Sequence, residues 1–256
     1  MGLANLENIN SFVRLVCGTD FDTSKELDKI LQHLHASLMK VVSELLEVQT
    51  LSDEKLRLYG PYLGRSLLEL SMTALIARID PFKILLMKGK QEQPDYDLGK
   101  PNSSAIRWQG DVVDKAVSKL WDDKTLKDPT RAIFGAYQIQ LVLINSAKLI
   151  IDEGSEATMG EWYTQLSSTD PKGAIESIKS KIKRAYSSLS KGIHHELLVP
   201  QESILDRDTV ISILNETLYI VASISLLISQ VPHAYKNALL EQSFNDYKKS
   251  KELELS

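Results

Sequence analysis

The chain has 256 residues, 43% of them hydrophobic and 25% charged, with a formal net charge of −4. That is enough apolar material for a sizeable core in one large or two small domains. The overall charge excludes a global attraction to nucleic acid or anionic membrane, so any such binding needs a local patch. The single cysteine, Cys17, excludes an internal disulfide and fits a reducing compartment, read as the cytoplasm.

Residues 1–10 lack a basic start and carry Glu7, unlike a secretory signal. Residues 5–16 predict a short amphipathic helix ended by Gly18. Thr23 or Ser24 caps a long helix running to about Gln49, in which Leu27, Ile30, Leu31, Leu34, Leu38, Val41, Val42 and Leu45 recur at steps of three and four. Ser52 followed by Asp53 and Glu54 opens another helix, to about Ile79, with a break or kink expected at Pro61. A short apolar helix comes next, over 81–88. Residues 89–104, with Pro94, Gly99 and Pro101, predict a loop. A short helix is expected over 110–121.

Asp128-Pro129 and Asp170-Pro171 both look like a cap followed by a first-turn proline, for helices to about Ile151 and Leu189. Between them, 154–160 is a loop and 159–166 one or two helical turns. Pro200 stops the stretch beyond Leu189. Asp206 or Asp208 opens the last core helix, to about Gln230. Within it, 210–231 is the most apolar stretch, but Asn215, Glu216 and several Ser/Thr residues interrupt it. It reads as a buried core helix rather than a membrane span, which needs about 20 predominantly apolar residues. No segment alternates apolar and polar residues for long enough to be a strand. The reading is therefore all-α: a bundle of about six to eight helices, one domain over 1–244 and a charged, frayed tail over 245–256.

Two places carry polar chemistry. His194 and His195 end a segment over 171–198 whose stripe of Ile175, Ile178, Ile182, Ala185, Leu189 and Ile193 is expected to be buried. The same segment holds Lys172, Lys179, Lys181, Lys183, Arg184 and Lys191, six cations against Glu176 inside the helix. Histidine exchanges protons near neutrality and cations hold phosphodiesters, which is the chemistry of an RNA-cleaving site. The bland alternative is a solvated lysine face and a histidine pair that caps helix carbonyls. The second place is Arg65 and Glu69, four apart on one face of a mostly apolar run. Such a pair faces water, orients a polar residue on another helix, or lines a site. No metal or cofactor motif is present. His33 and His35 are two apart and do not share a helix face, and no Cys-x-x-Cys, His-Glu-x-x-His or phosphate-binding glycine loop occurs.

The runs Arg65-Ser-Leu-Leu-Glu69-Leu-Ser and Tyr186-Ser-Ser-Leu-Ser-Lys-Gly-Ile-His194-His195-Glu196 together resemble the HEPN superfamily of helical bundles. The resemblance implies a metal-independent ribonuclease, often found in toxin–antitoxin and antiphage systems, with an Arg and a His four to six residues apart and the site doubled across a dimer. This chain departs from that pattern. Arg184 precedes His194 by nine intervening residues, and Ser187, Ser188, Leu189 and Ser190 occupy the places where the arginine would fall. The expectation is thus a noncatalytic or degenerate HEPN-like subunit that binds a partner protein or RNA in cellular defence. The alternative is a ribonuclease using His194 and His195. Tentative catalytic residues are His194, His195, Arg65 and Glu69, and Lys179, Lys183, Arg184 and Lys191 are the nucleic-acid contacts. No metal, cofactor or membrane partner is expected, and a homodimer or a larger assembly is.

Overall fold

The computed structural model describes residues 3–92, 94, 137–193 and 205–256. All regular structure among them is helical: α1 (Leu3–Cys17), α2 (Glu26–Val48), α3 (Asp53–Ile79), α4 (Pro81–Gln91), α5 (Tyr137–Glu153), the single turn α6 (Glu156–Met159), α7 (Glu161–Ser167), α8 (Pro171–Ile193), α9 (Arg207–Ser229), α10 (Leu240–Ser250) and a closing 3₁₀ turn (Lys251–Leu253). The expected helix over 110–121, the caps at Asp128-Pro129, the later part of the 89–104 loop, Pro200 and both of His194 and His195 lie outside the described residues.

The centre of the bundle is α3, which packs against α2, α8 and α9 and also touches α1 and α4. Its sequence explains the position. From Ser71 to Arg78 every residue is buried, and Ser71, Thr73, Ala74 and Ala77 are small enough for neighbours to close from several sides. In α9 everything from Ile220 to Ser229 is likewise buried. Three of its hydroxyls are satisfied within the helix: Thr217, Ser225 and Ser229 donate to the carbonyls of Ile213, Val221 and Leu226. Among the described residues α9 alone is long and apolar enough to cross a membrane, and 67% of its most apolar window is buried inside the bundle.

Several local expectations change. The α2 cap is Lys25, not Thr23 or Ser24, because the Asp22 carboxylate takes the Ser24 amide and hydroxyl into a turn of its own. Helix α3 runs on through Pro61 without interruption. The proline is the ninth residue of the helix, and its ring fills the space beside Gly192 of α8, where an added Cβ would lie 2.4 Å from the ring. Asp170 and Asp206 do cap their helices, accepting from the Gly173 and Thr209 amides.

The expected frayed tail is instead ordered. Residues 240–253 are helical and pack on α1 and α9, burying Phe244, Tyr247, Leu253 and Leu255. Asp246 receives two guanidinium bonds from Arg14 of α1, and Asn8 donates to Glu252 at 2.9 Å. Asn215 of α9 clamps the Leu255 backbone through both its amide atoms. The charges in this segment suggested solvent, but Asp246, Lys249 and Glu252 find partners on a helix more than 200 residues earlier in the chain.

Candidate functional site

Arg65 reaches α8 because α3 and α8 meet over glycines. An added Cβ on Gly64 would lie 2.7 Å from both Leu189 of α8 and Leu214 of α9, and Gly192 similarly admits the Pro61 ring. At that separation the Arg65 guanidinium spans the junction. Its Nε donates to Glu69 Oε1 at 2.9 Å, its Nη2 to the Tyr186 hydroxyl at 2.9 Å and its Nη1 to Ser190 Oγ at 3.4 Å. The guanidinium carbon also lies 4.9 Å from the centroid of the Tyr186 ring. Ser190 in turn donates to the Tyr186 carbonyl one helical turn back. Of the three readings of the Arg65/Glu69 pair, the structure carries the second: the pair orients polar residues of another helix. Glu69 keeps it in touch with water, its side chain being 41% exposed against 26% for Arg65.

This arrangement commits three of the five guanidinium donors and compensates the positive charge with Glu69. Arg65 meets α8 at Tyr186 and Ser190, the second of them within a turn of Ile193, the last described residue before the histidines. There Ser190 accepts from an arginine of a different helix.

The cations of α8 divide into two sets. Arg184 pairs with Glu216 of α9, and that hydrogen bond pushes its already high pKa further up. Lys179 is half-buried, 3.6 Å from Glu176. Lys181 lies over the Tyr219 ring at 5.1 Å. Lys172, Lys183 and Lys191 are exposed and have no ion-pair partner among the described residues. Ile175, Ile182 and Leu189 are buried as expected, whereas Ile178 is only partly so.

Two features escaped the reading of the residues. Arg78, in the last turn of α3, is 1% exposed with no carboxylate partner among the described residues. It donates to the carbonyls of Leu15 and Val16 at the end of α1, and to those of Tyr235 and Lys236. A cation on the negative end of α1 is electrostatically well placed, though burial pulls its pKa down to about 10. Arg78 is a structural bolt. The second feature is a row of exposed side chains on the first half of α3: Leu58 is 54% exposed, Tyr59 47% and Tyr62 62%. Their spacing of one and three residues, in line with Arg65, was the available signal.

A cavity of about 490 Å³ opens between α7, α9 and α10, with Tyr219, Tyr247, Glu161, Glu216 and Glu254 on its walls. Its acids are not poised together: Glu216 holds Arg184 and Glu161 holds Gln165. No group of three or more potential metal ligands occurs among the described residues. His33 is exposed, and His35 packs edge-on to Phe21, where burial lowers its pKa. No family model, no curated protein and no solved structure matches the chain.

Proposed function

We propose that this chain is a noncatalytic helical binding subunit, a degenerate HEPN-like protein that takes RNA on the open lysine edge of α8. The observation that carries the noncatalytic side is the committed state of Arg65. The α8 positions that would supply a catalytic arginine hold serines and a leucine, and the nearest substitute is tied to Glu69, Tyr186 and Ser190. A cation neutralised in this way anchors two helices. It is a poor stabiliser of charge developing at phosphorus.

The RNA side rests on Lys172, Lys183 and Lys191, which point charge at solvent with no paired acid among the described residues. Lys172 and Lys183 are eleven apart and share a face, about 16 Å along α8 at 1.5 Å per residue, and Lys191 lies about 12 Å further along the helix and about a quarter turn round from them. A polyanion satisfies such an edge by releasing its counterions. A setting in cellular defence is what the family resemblance implies, and the lone, buried thiol of Cys17 supports a cytoplasmic one.

The test is binding of a fluorescent single-stranded RNA of mixed sequence, read by anisotropy across a salt series. Expected is binding that weakens with salt and falls several-fold in Lys183→Glu and in Lys191→Glu. Arg184→Ala should change it little, since Glu216 already holds that guanidinium. Salt-independent binding, or no binding with capture of an acidic protein instead, overturns the RNA reading.

A further inference from the structure

The exposed row on α3 is self-complementary. At 100° per residue, Lys55, Leu58, Tyr59, Tyr62, Arg65, Ser66 and Glu69 fall within an arc of about 120° on the solvent side of the helix. Lys55, Leu58, Tyr59 and Tyr62 are exposed, and Arg65, Ser66 and Glu69 half-buried. The other side of this stretch is committed, with Leu56, Gly60, Pro61, Gly64, Leu67 and Leu68 buried. Two tyrosines and a leucine held out to water on a rigid central helix cost solvation that a partner recovers.

The order of charges along the row selects the partner. When two such helices cross antiparallel about Tyr62, position 62+n lies opposite 62−n. Glu69 then faces Lys55 of the other copy close to the centre line and Tyr62 meets itself on the axis, while Arg65 and Tyr59 flank the contact at the same height on opposite sides. The charged opposition is attractive and occurs twice. A parallel crossing sets Lys55 against Lys55 and Glu69 against Glu69. Glu69 has an oxygen to spare, since Arg65 occupies only Oε1 among the described residues. Arg65 has two donors to spare and already stacks on one tyrosine within its own chain.

We propose that a second copy of this chain docks on this face, forming a two-fold dimer about Tyr62 in which Lys55 and Glu69 pair reciprocally. The interface has the aromatic and arginine content typical of binding hot spots. The inference stands on the α3 row alone and is independent of RNA binding by α8.

Charge exchange tests it. Light scattering at tens of micromolar should report twice the 28.7 kDa chain mass for the natural protein. Tyr62→Arg should give a monomer with an unchanged helical spectrum. Lys55→Glu sets carboxylate against carboxylate at both ends of the crossing, and Glu69→Lys sets ammonium against ammonium, so each alone should be monomeric. Mixed together, the two variants make every charged opposition attractive again, and a heterodimer should form. A natural protein that is monomeric at this concentration, a dimer indifferent to Tyr62→Arg, or a mixture that stays monomeric overturns the proposal. Lys55→Glu and Tyr62→Arg lie on the open face and should melt near the natural chain, whereas Glu69→Lys also removes the Arg65 acceptor and should melt lower. An unchanged helical spectrum at the working temperature separates loss of docking from loss of fold in all three.

Discussion

The Arg65 guanidinium donates to the Tyr186 hydroxyl at 2.9 Å while lying 4.9 Å from the centroid of the same ring. One side chain of α8 therefore serves α3 both as acceptor and as cation surface, and the two contacts are separable. Tyr186→Phe keeps the ring and removes the hydroxyl. It should lower stability by about 1 kcal/mol, the usual worth of one hydrogen bond that water can partly replace. Arg65→Ala, which loses both contacts and strands Glu69, should cost more. Denaturant unfolding of the two variants checks the order.

Ile182 is fully buried on the face that α8 turns to the core. Ile182→Ala should destabilise by about 2–5 kcal/mol, transfer and cavity terms together. Thermal melting checks this, and a variant melting with the natural protein would show that the apolar stripe of α8 is wrongly placed.

Gly64 and Gly192 are both helical, so alanine gains intrinsic helix propensity at each, by about 1 kcal/mol. Their surroundings reverse the benefit unequally. At Gly64 the new methyl meets the flexible tips of Leu189 and Leu214. At Gly192 it meets the Pro61 ring at 2.4–2.5 Å. The ring cannot swing away, so Gly192→Ala should cost about 1–3 kcal/mol net and more than Gly64→Ala. Paired melting curves measure the difference.

Burial pushes the Cys17 thiol from 9.0 up to about 12. Its folded pKa is raised, so the contribution is fully present below pH 9.0 and is lost as pH climbs from there to about 12. Across that window the unfolded chain ionises first. The total is on the order of 4 kcal/mol at about 1.4 kcal/mol per unit. Cys17→Ala should flatten the alkaline fall in stability by up to that amount. In the natural protein a thiol reagent should label Cys17 only as fast as the bundle opens. Prompt labelling at neutral pH would contradict its placement.

Asp246 is buried against Arg14, whose side chain is 36% exposed. Asp246→Ala should cost about 1–3 kcal/mol, below the range for a fully buried pair because Arg14 keeps access to water. Removing 240–256 altogether uncovers the face of α1 that α10 covers, and should abolish cooperative unfolding. Calorimetry distinguishes these outcomes.

Most helices were legible because burial imposes a 3.6-residue period, and the starts of α8 and α9 because Asp170 and Asp206 accept a first-turn amide. The Arg65/Glu69 pair stood out for a similar local reason, as two charges in an apolar run. What the pair touches was not legible. Tyr186 lies 121 residues away, and its approach depends on the Gly64 and Gly192 contacts between helices. The break expected at Pro61 does not occur: the helix continues through it with one helical hydrogen bond forgone, and the ring packs on Gly192. The tail misled because charge predicts solvent only when no opposite charge awaits it. Arg78 was invisible for a further reason: it is held by four carbonyls, and every residue has one.

The most direct test of the noncatalytic reading is incubation of the purified chain with mixed-sequence RNA in chelator, with bound and cleaved RNA scored in the same sample. The account predicts RNA that is retained by the protein and remains full-length. Cleavage that is abolished by His194→Ala or His195→Ala and survives Arg65→Ala would contradict it, since the histidines and lysines would then suffice without any positioned guanidinium.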